Sequence, residues 1–180
     1  MILDAFLQFT GGLGGGTGGE DKPTTGTQVS SNNLDLHMAG IPVLANNQGA
    51  RDLGIGDKPA LKIVAWVTTT FASGTSMQIN LQGATDNGSG APNAFSTFWS
   101  SPVYAEATLV AGARLFDMDV PRPPAGVAIP RFLQIQFVTV GTHTAGGLKS
   151  WIALDREDYD YQSTGNAVRG GYPAGVTIAN

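Results

Sequence analysis

The sequence predicts an all-β fold: two antiparallel sheets packed as a sandwich, with jelly-roll or similar topology and about eight strands. Three observations predict it. Apolar and polar residues alternate with a period of two in several stretches, the mark of half-buried strands. Turn-forming residues separate those stretches, and 25 Gly and 10 Pro in 180 residues favour many turns over long helices. No stretch of a dozen residues carries a helical period. A chain of this length buries roughly 70% of its unfolded surface as one domain, so it needs no staple to fold.

The elements follow in order. Ile2 to Phe9 is apolar and β-prone, and the glycine tract Gly11–Gly19 ends it. Thr27 to Leu36 is weakly amphipathic, and Asn46 to Lys58 reads as a loop, rich in Asn, Gly and Asp. In the next strand Leu61, Ile63, Ala65 and Val67 point one way, and Lys62, Trp66 and Thr68 the other. Met77, Ile79 and Leu81 then alternate with Gln78, Asn80 and Gln82, so Ala72-Ser73-Gly74-Thr75 between the two strands reads as a hairpin loop. Asp86-Asn87-Gly88-Ser89-Gly90 is a strong turn signal, since Asn and Gly tolerate positive φ.

Short strands are expected at Phe95–Trp99, Tyr104–Val110 and Arg114–Val120, the last stopped by Pro121, Pro123 and Pro124, which remove ladder donors. Phe132–Val140 and Leu148–Leu154 close the sheet pattern, with a hairpin by composition at Gly141–Gly146 that places His143 in a solvent-exposed turn. The domain therefore spans 1–158, with a flexible Gly-rich loop at 11–19, and 159–180 reads as an extended C-terminal arm.

Charge and composition narrow the function classes. The net charge is −4 and charged residues make up 13% of the chain, a low share that suggests part of the surface is covered by a partner. Lys and Arg are spread singly, so the clustered basic face that displaces counterions from phosphates is missing, and no direct nucleic-acid binding is expected. The absence of Cys excludes disulfides, thiolate catalysis and Cys-ligated zinc. Met1–Leu7 carries an acid where a signal peptide carries bases, and no apolar run reaches transmembrane length; neither secretion by that route nor a membrane partner is expected.

Each motif that could carry chemistry has a plainer alternative. Phosphate loops need their glycines at the start of a helix, whereas Gly11–Gly19 is followed by Glu20, Asp21 and Pro23; a loop that stays mobile unless a partner holds it is the better reading. His37 and His143 lack neighbours at metal-ligand spacing, and no nucleophile elbow is present. Asp155, Glu157, Asp158 and Asp160 lack the central Gly and terminal Glu of a calcium loop. The expectation is a non-enzyme with no catalytic residue, metal or cofactor. Trp66 and Trp151 stand on the polar side of their strands, opposite the Leu/Ile rows, in a second buried layer or at a contact surface. A row of exposed aromatics could instead make a carbohydrate-binding module, the alternative reading.

Four stretches carry a family resemblance: Met1-Ile2-Leu3-Asp4, Arg51-Asp52-Leu53-Gly54-Ile55-Gly56, Pro130-Arg131-Phe132-Leu133 and Tyr172-Pro173-Ala174-Gly175-Val176-Thr177-Ile178. In these the chain resembles the capsid cement, or decoration, proteins of tailed bacteriophages, the family typified by the Bordetella phage cement protein. The glycine tract looks like an addition to that pattern, and Ala179-Asn180 extend past its usual end. The resemblance implies a jelly-roll homo-oligomer, dimer or trimer, made in the host cytoplasm and docked on the outer surface of the virion capsid. There it would bind the major capsid protein and reinforce contacts between its subunits. The candidate contact residues for partner or subunit are Arg51, Asp52, Trp66, Trp151, Tyr159, Tyr161, Tyr172 and Ile178.

Overall fold

The computed structural model describes residues 7–16, 18–36 and 61–153. It is all-β: seven strands, with short 3-10 turns and no α-helix among the described residues. The strands are β1 (Gly26–Val29), β2 (Leu34–Asp35), β3 (Lys62–Ala84), β4 (Ser96–Ser100), β5 (Tyr104–Ala105), β6 (Arg114–Asp119) and β7 (Phe132–Ala153). The 1–158 domain reaches into residues beyond this range, and the arm at 159–180 lies outside it.

Two strands organise everything. β3 and β7 pair antiparallel along their whole lengths, from Lys62 opposite Ala153 to Ala84 opposite Phe132. On the far side of β7 lie β1 and β2, together with single bridges from Gln8 to Trp151 and from Asp21 to Leu148. On the far side of β3 lie β6, β5 and β4 in turn. The result is a ribbon four strands wide, hydrogen-bonded as one open antiparallel sheet.

The all-β expectation holds, with the strands hydrogen-bonded as one sheet, and the reason lies in the middle of the long strands. Ala72–Thr75 is not a hairpin loop, and Gly141–Gly146 is not one either; both are strand. Gly74 pairs with Gly141, so the two turn signals sit opposite each other across one ladder. All four register shifts of the β3–β7 ladder fall between Val67 and Ser76, and such irregularities bend and twist a ribbon without ending it. Bending is required. At about 3.3 Å per residue a straight β3 would run roughly 75 Å, far beyond the radius of about 16 Å expected for a compact chain of this size. Tyr104–Val110 also departs from expectation: only Tyr104–Ala105 is strand, and a 3-10 turn at Glu106–Thr108 follows.

The core forms on one face of the ribbon and draws on both of its ends. Ile63, Val67, Leu148 and Ile152 from one half join Met77, Ile79, Leu81, Ile135 and Phe137 from the other in a single apolar cluster. Phe71 from the bend, Phe9 from the N-terminal segment and Leu109 from the loop after the 3-10 turn belong to the same cluster. The alternation read from the sequence therefore assigns the inward faces of both halves correctly.

The glycine tract is tied down from within the chain. Asp21 is wholly buried, and its Oδ1 accepts hydrogen bonds from the backbone N–H groups of Gly11 (2.8 Å), Gly12 (3.0 Å) and Leu13 (2.9 Å). The Ser31 hydroxyl donates to the same oxygen at 2.6 Å, and the Ser31 N–H to Oδ2 at 3.0 Å. Successive N–H groups converging on an anion form a nest; the anion here is the chain's own carboxylate. Gly14 has φ +65°, and a Cβ there would run into the Lys22 carbonyl. The backbone of Asp21 meanwhile exchanges both hydrogen bonds with Leu148 at 3.0 Å, which anchors the loop to β7. The partner that this loop was expected to need is thus supplied, at least for Gly11–Leu13, by Asp21.

Candidate partner-binding surface

The face of β3 and β7 opposite the core carries the tryptophans. Val64 pairs with Trp151 and Trp66 with Lys149 across the ladder, so these four share one face. Val64, Trp151 and Ala153 form a small second cluster with Trp66 packed on it. The two indoles meet edge to face, 4.5 Å between ring centroids and 83° between planes, the geometry favoured by the ring quadrupoles. Trp151 is 2% exposed, while Trp66 is only partly buried. Trp151 is therefore the floor of the cluster and Trp66 its accessible part. A sugar platform needs exposed ring faces, which Trp151 does not offer. Its Nε1–H is buried without an acceptor, a costly state for a buried donor.

Charges rim this cluster in pairs. On β6, Arg114 lies opposite Trp66 and Asp117 opposite Val64, and the two bond to each other at 3.2 Å. Lys62 of β3 pairs with Asp119 of β6. The cluster is thus apolar at its centre, with two ion pairs and Lys149 at its border.

Of the remaining expected contact residues, Arg51, Asp52, Tyr159, Tyr161, Tyr172 and Ile178 lie outside the described residues. Only Trp66 and Trp151 can be placed, and they come together.

Two features escaped the sequence reading. The first is a shallow groove of about 150 Å³ at the end of β3, lined by Gly83, Ala84, Phe98, Pro123, Val127 and Pro130 among others. A proline run that reads only as a strand stop supplies one of its walls. The second is a charge network at the same end. Arg131 grips Asp35 with two parallel bonds of 2.8 and 2.9 Å, reaches Asp86 with its other terminal nitrogen, and lies over the Phe132 ring. Asp86 also accepts from the N–H groups of Gly88 and Gly90. The Gly88 hydrogen bond, with Gly90 and Arg131 behind it, holds the Asp86 carboxyl below its ordinary range against the opposing effect of desolvation. Hydrogen bonding to Asp35 raises Arg131.

His143 is a correction. It is not in an exposed turn but 1% exposed inside β7. Among the described residues, no group of three or more His, Cys, Asp or Glu could hold a metal ion, and no helix is long and apolar enough to cross a membrane.

Comparison with known proteins adds one finding. The family model Bbp16 matches residues 20–152. The match begins just after the glycine tract and stops before the arm. It takes in the stretches at Arg51–Gly56 and Pro130–Leu133, whereas Met1–Asp4 and Tyr172–Ile178 fall outside it. No curated protein matches the chain.

Proposed function

The chain belongs to the Bbp16 family, a Bordetella phage protein family, and from that premise we propose that it is a capsid cement protein. In this reading it binds the outside of the phage shell as a homo-oligomer and stabilises contacts between major capsid protein subunits. It performs no catalysis. Cementing requires contact area and a rigid mount, and no reacting group.

The observation that carries the reading is the tryptophan cluster on the non-core face. A β-sheet needs only one buried face to fold. Here the second face of the β3–β7 ladder also carries a packed apolar cluster, with Trp66 accessible. Aromatic residues in such positions dominate contact energies. The low charge content and the paired rim charges fit the same use. A single copy needs only modest affinity, because many copies on one lattice act together.

The test is decoration of purified capsids. Trp66→Ala should leave the far-UV spectrum of a folded β-protein and reduce occupancy on the shell, read as the amount of chain co-sedimenting with capsids. A folded Trp66→Ala chain that co-sediments at wild-type occupancy would remove this face from the interface. A wild-type chain that never co-sediments would remove the cement reading itself.

A further inference from the structure

The loop between β3 and β4 holds the one Asn-Gly dipeptide of the chain, Asn87-Gly88. Asparagine followed by glycine is open to self-modification, because no Cβ on the second residue shields its backbone nitrogen. That nitrogen can attack the carbon of the asparagine side-chain amide. Asn87 and Gly88 are both exposed, so water reaches the pair. Asn87 Oδ1 accepts from the Ser89 N–H at 2.9 Å and from the Ser89 hydroxyl at 2.7 Å. Two donors on that oxygen polarise the amide and stabilise the negative charge that develops on it under attack.

The attacking group, by contrast, is restrained. The Gly88 N–H donates to Asp86 Oδ1 at 2.8 Å. The same oxygen accepts from the Gly90 N–H at 3.0 Å, and Arg131 holds the other carboxylate oxygen. Attack requires the Gly88 nitrogen to lose its proton, and an ionised carboxylate beside it disfavours a second negative charge. The turn is also fixed from outside: the Asn87 N–H donates to the Ala91 carbonyl at 2.9 Å, and Asn93 Nδ2 to the Asp86 carbonyl at 3.1 Å. Reorienting the pair for attack means breaking such bonds first.

We propose that Asn87 is a latent deamidation site, with Ser89 activating its amide and the Asp86 carboxylate restraining the Gly88 nitrogen. When the restraint is lost, the Gly88 nitrogen gives its proton to a solvent base and bonds to Asn87 Cγ. The Cγ–Nδ2 bond breaks, and the nitrogen leaves as ammonia with a proton taken from water, closing a cyclic imide. Water then opens one of the two C–N bonds of that ring. The product is aspartate at 87, or its isomer joined to Gly88 through the side-chain carboxyl. Nothing is oxidised or reduced. Either product sets a new carboxylate beside Asp86 in the turn that Arg131 anchors, and like charges so close repel. Conversion therefore weakens the tie between this loop, β2 and β7. The inference does not depend on what the chain binds.

The test is ageing of the full chain in mildly alkaline buffer, well below its unfolding temperature, with Asn87 conversion read by peptide mass mapping. The folded chain should convert more slowly than the same chain in guanidinium chloride. Folded Asp86→Ala should convert faster than the unmodified chain by about tenfold or more, the rate equivalent of one lost hydrogen bond to a charged group. Adding Ser89→Ala to it should slow conversion again. Asp21→Asn, which weakens the fold away from this turn, should leave the rate near that of the unmodified chain. Equal rates with and without guanidinium overturn the proposal, and so does an unchanged rate in Asp86→Ala. Acceleration by Asp21→Asn as large as that by Asp86→Ala overturns it too, since protection would then belong to the fold as a whole. A rate that Ser89→Ala does not lower overturns the role given to Ser89. Should Asp86→Ala not fold, Asp86→Asn, which keeps an acceptor oxygen and removes the charge, takes its place under the same criteria.

Discussion

Asp21 shows how much a single side chain fixes in this fold. Its carboxylate accepts the donors of three consecutive backbone amides and of Ser31, while its own backbone pairs with Leu148. One residue thus connects the glycine tract, the segment before β2 and β7. Ordering glycines is entropically costly, so the connection needs strong bonds, and hydrogen bonds to a charged acceptor contribute about 1.5–3 kcal/mol each. Asp21→Asn keeps the shape but replaces one acceptor oxygen with a donor that faces the Ser31 N–H or the nest. The variant should lose about 2 kcal/mol or more, measured as a lower urea midpoint, and become more sensitive to proteolysis within 11–19. An unchanged midpoint would show that the nest contributes nothing to folding. In the sequence, Asp21 is visible only as an acid after a glycine run, because its partners approach from residues that spacing does not connect.

At the scale of the element, the long strands explain which features were legible and which were not. Alternation at Ile63, Val67, Met77, Ile79 and Leu81 identifies the inward faces because it records burial directly. Gly74 and Gly141 record something weaker, that the backbone there is permissive. Whether a permissive point ends a strand or bends it depends on the residue across the ladder, and Gly74 faces Gly141. His143 was misplaced for the same reason, since its neighbours are those of a turn while its ring is buried against another strand. The same dependence on remote partners operates at Arg131, which ties the end of β2 and the loop after β3 to the start of β7 through Asp35 and Asp86. The Asp86 carboxyl is held below its ordinary value, first by the Gly88 hydrogen bond. A lowered folded value means that the group's contribution is complete above the ordinary aspartate value of about 3.9 and is lost as pH falls through the folded one. Asp86→Asn should therefore be less stable than the unmodified chain at neutral pH, and the two should converge in acid. Urea midpoints measured across that range check this; a gap that stays constant into strong acid would contradict it.

At the scale of the whole molecule, the described residues form a bent ribbon whose core occupies one face, leaving the tryptophans on the other. The family match covers residues 20–152, nearly the extent of the ribbon itself. Residues 159–180 fall outside that match, and the cement reading assigns them to contact. Residues 159–180 carry Tyr159, Tyr161 and Tyr172, side chains of a type that buries much area at small entropic cost. Among the described residues the core runs from Leu7 to Ile152. If, as the cement reading has it, 159–180 serve contact and not folding, deleting them should leave thermal unfolding cooperative, with Tm close to that of the full chain, and weaken binding to the capsid. The two readouts separate the possibilities. Loss of cooperativity would place the arm in the fold, whereas wild-type decoration by a folded truncated chain would leave the tryptophan face to carry the contact alone. Combining the deletion with Trp66→Ala then tests whether the two surfaces act together. If they engage one shell simultaneously, the double change should reduce occupancy by more than the sum of the single losses, because each contact raises the effective concentration of the other.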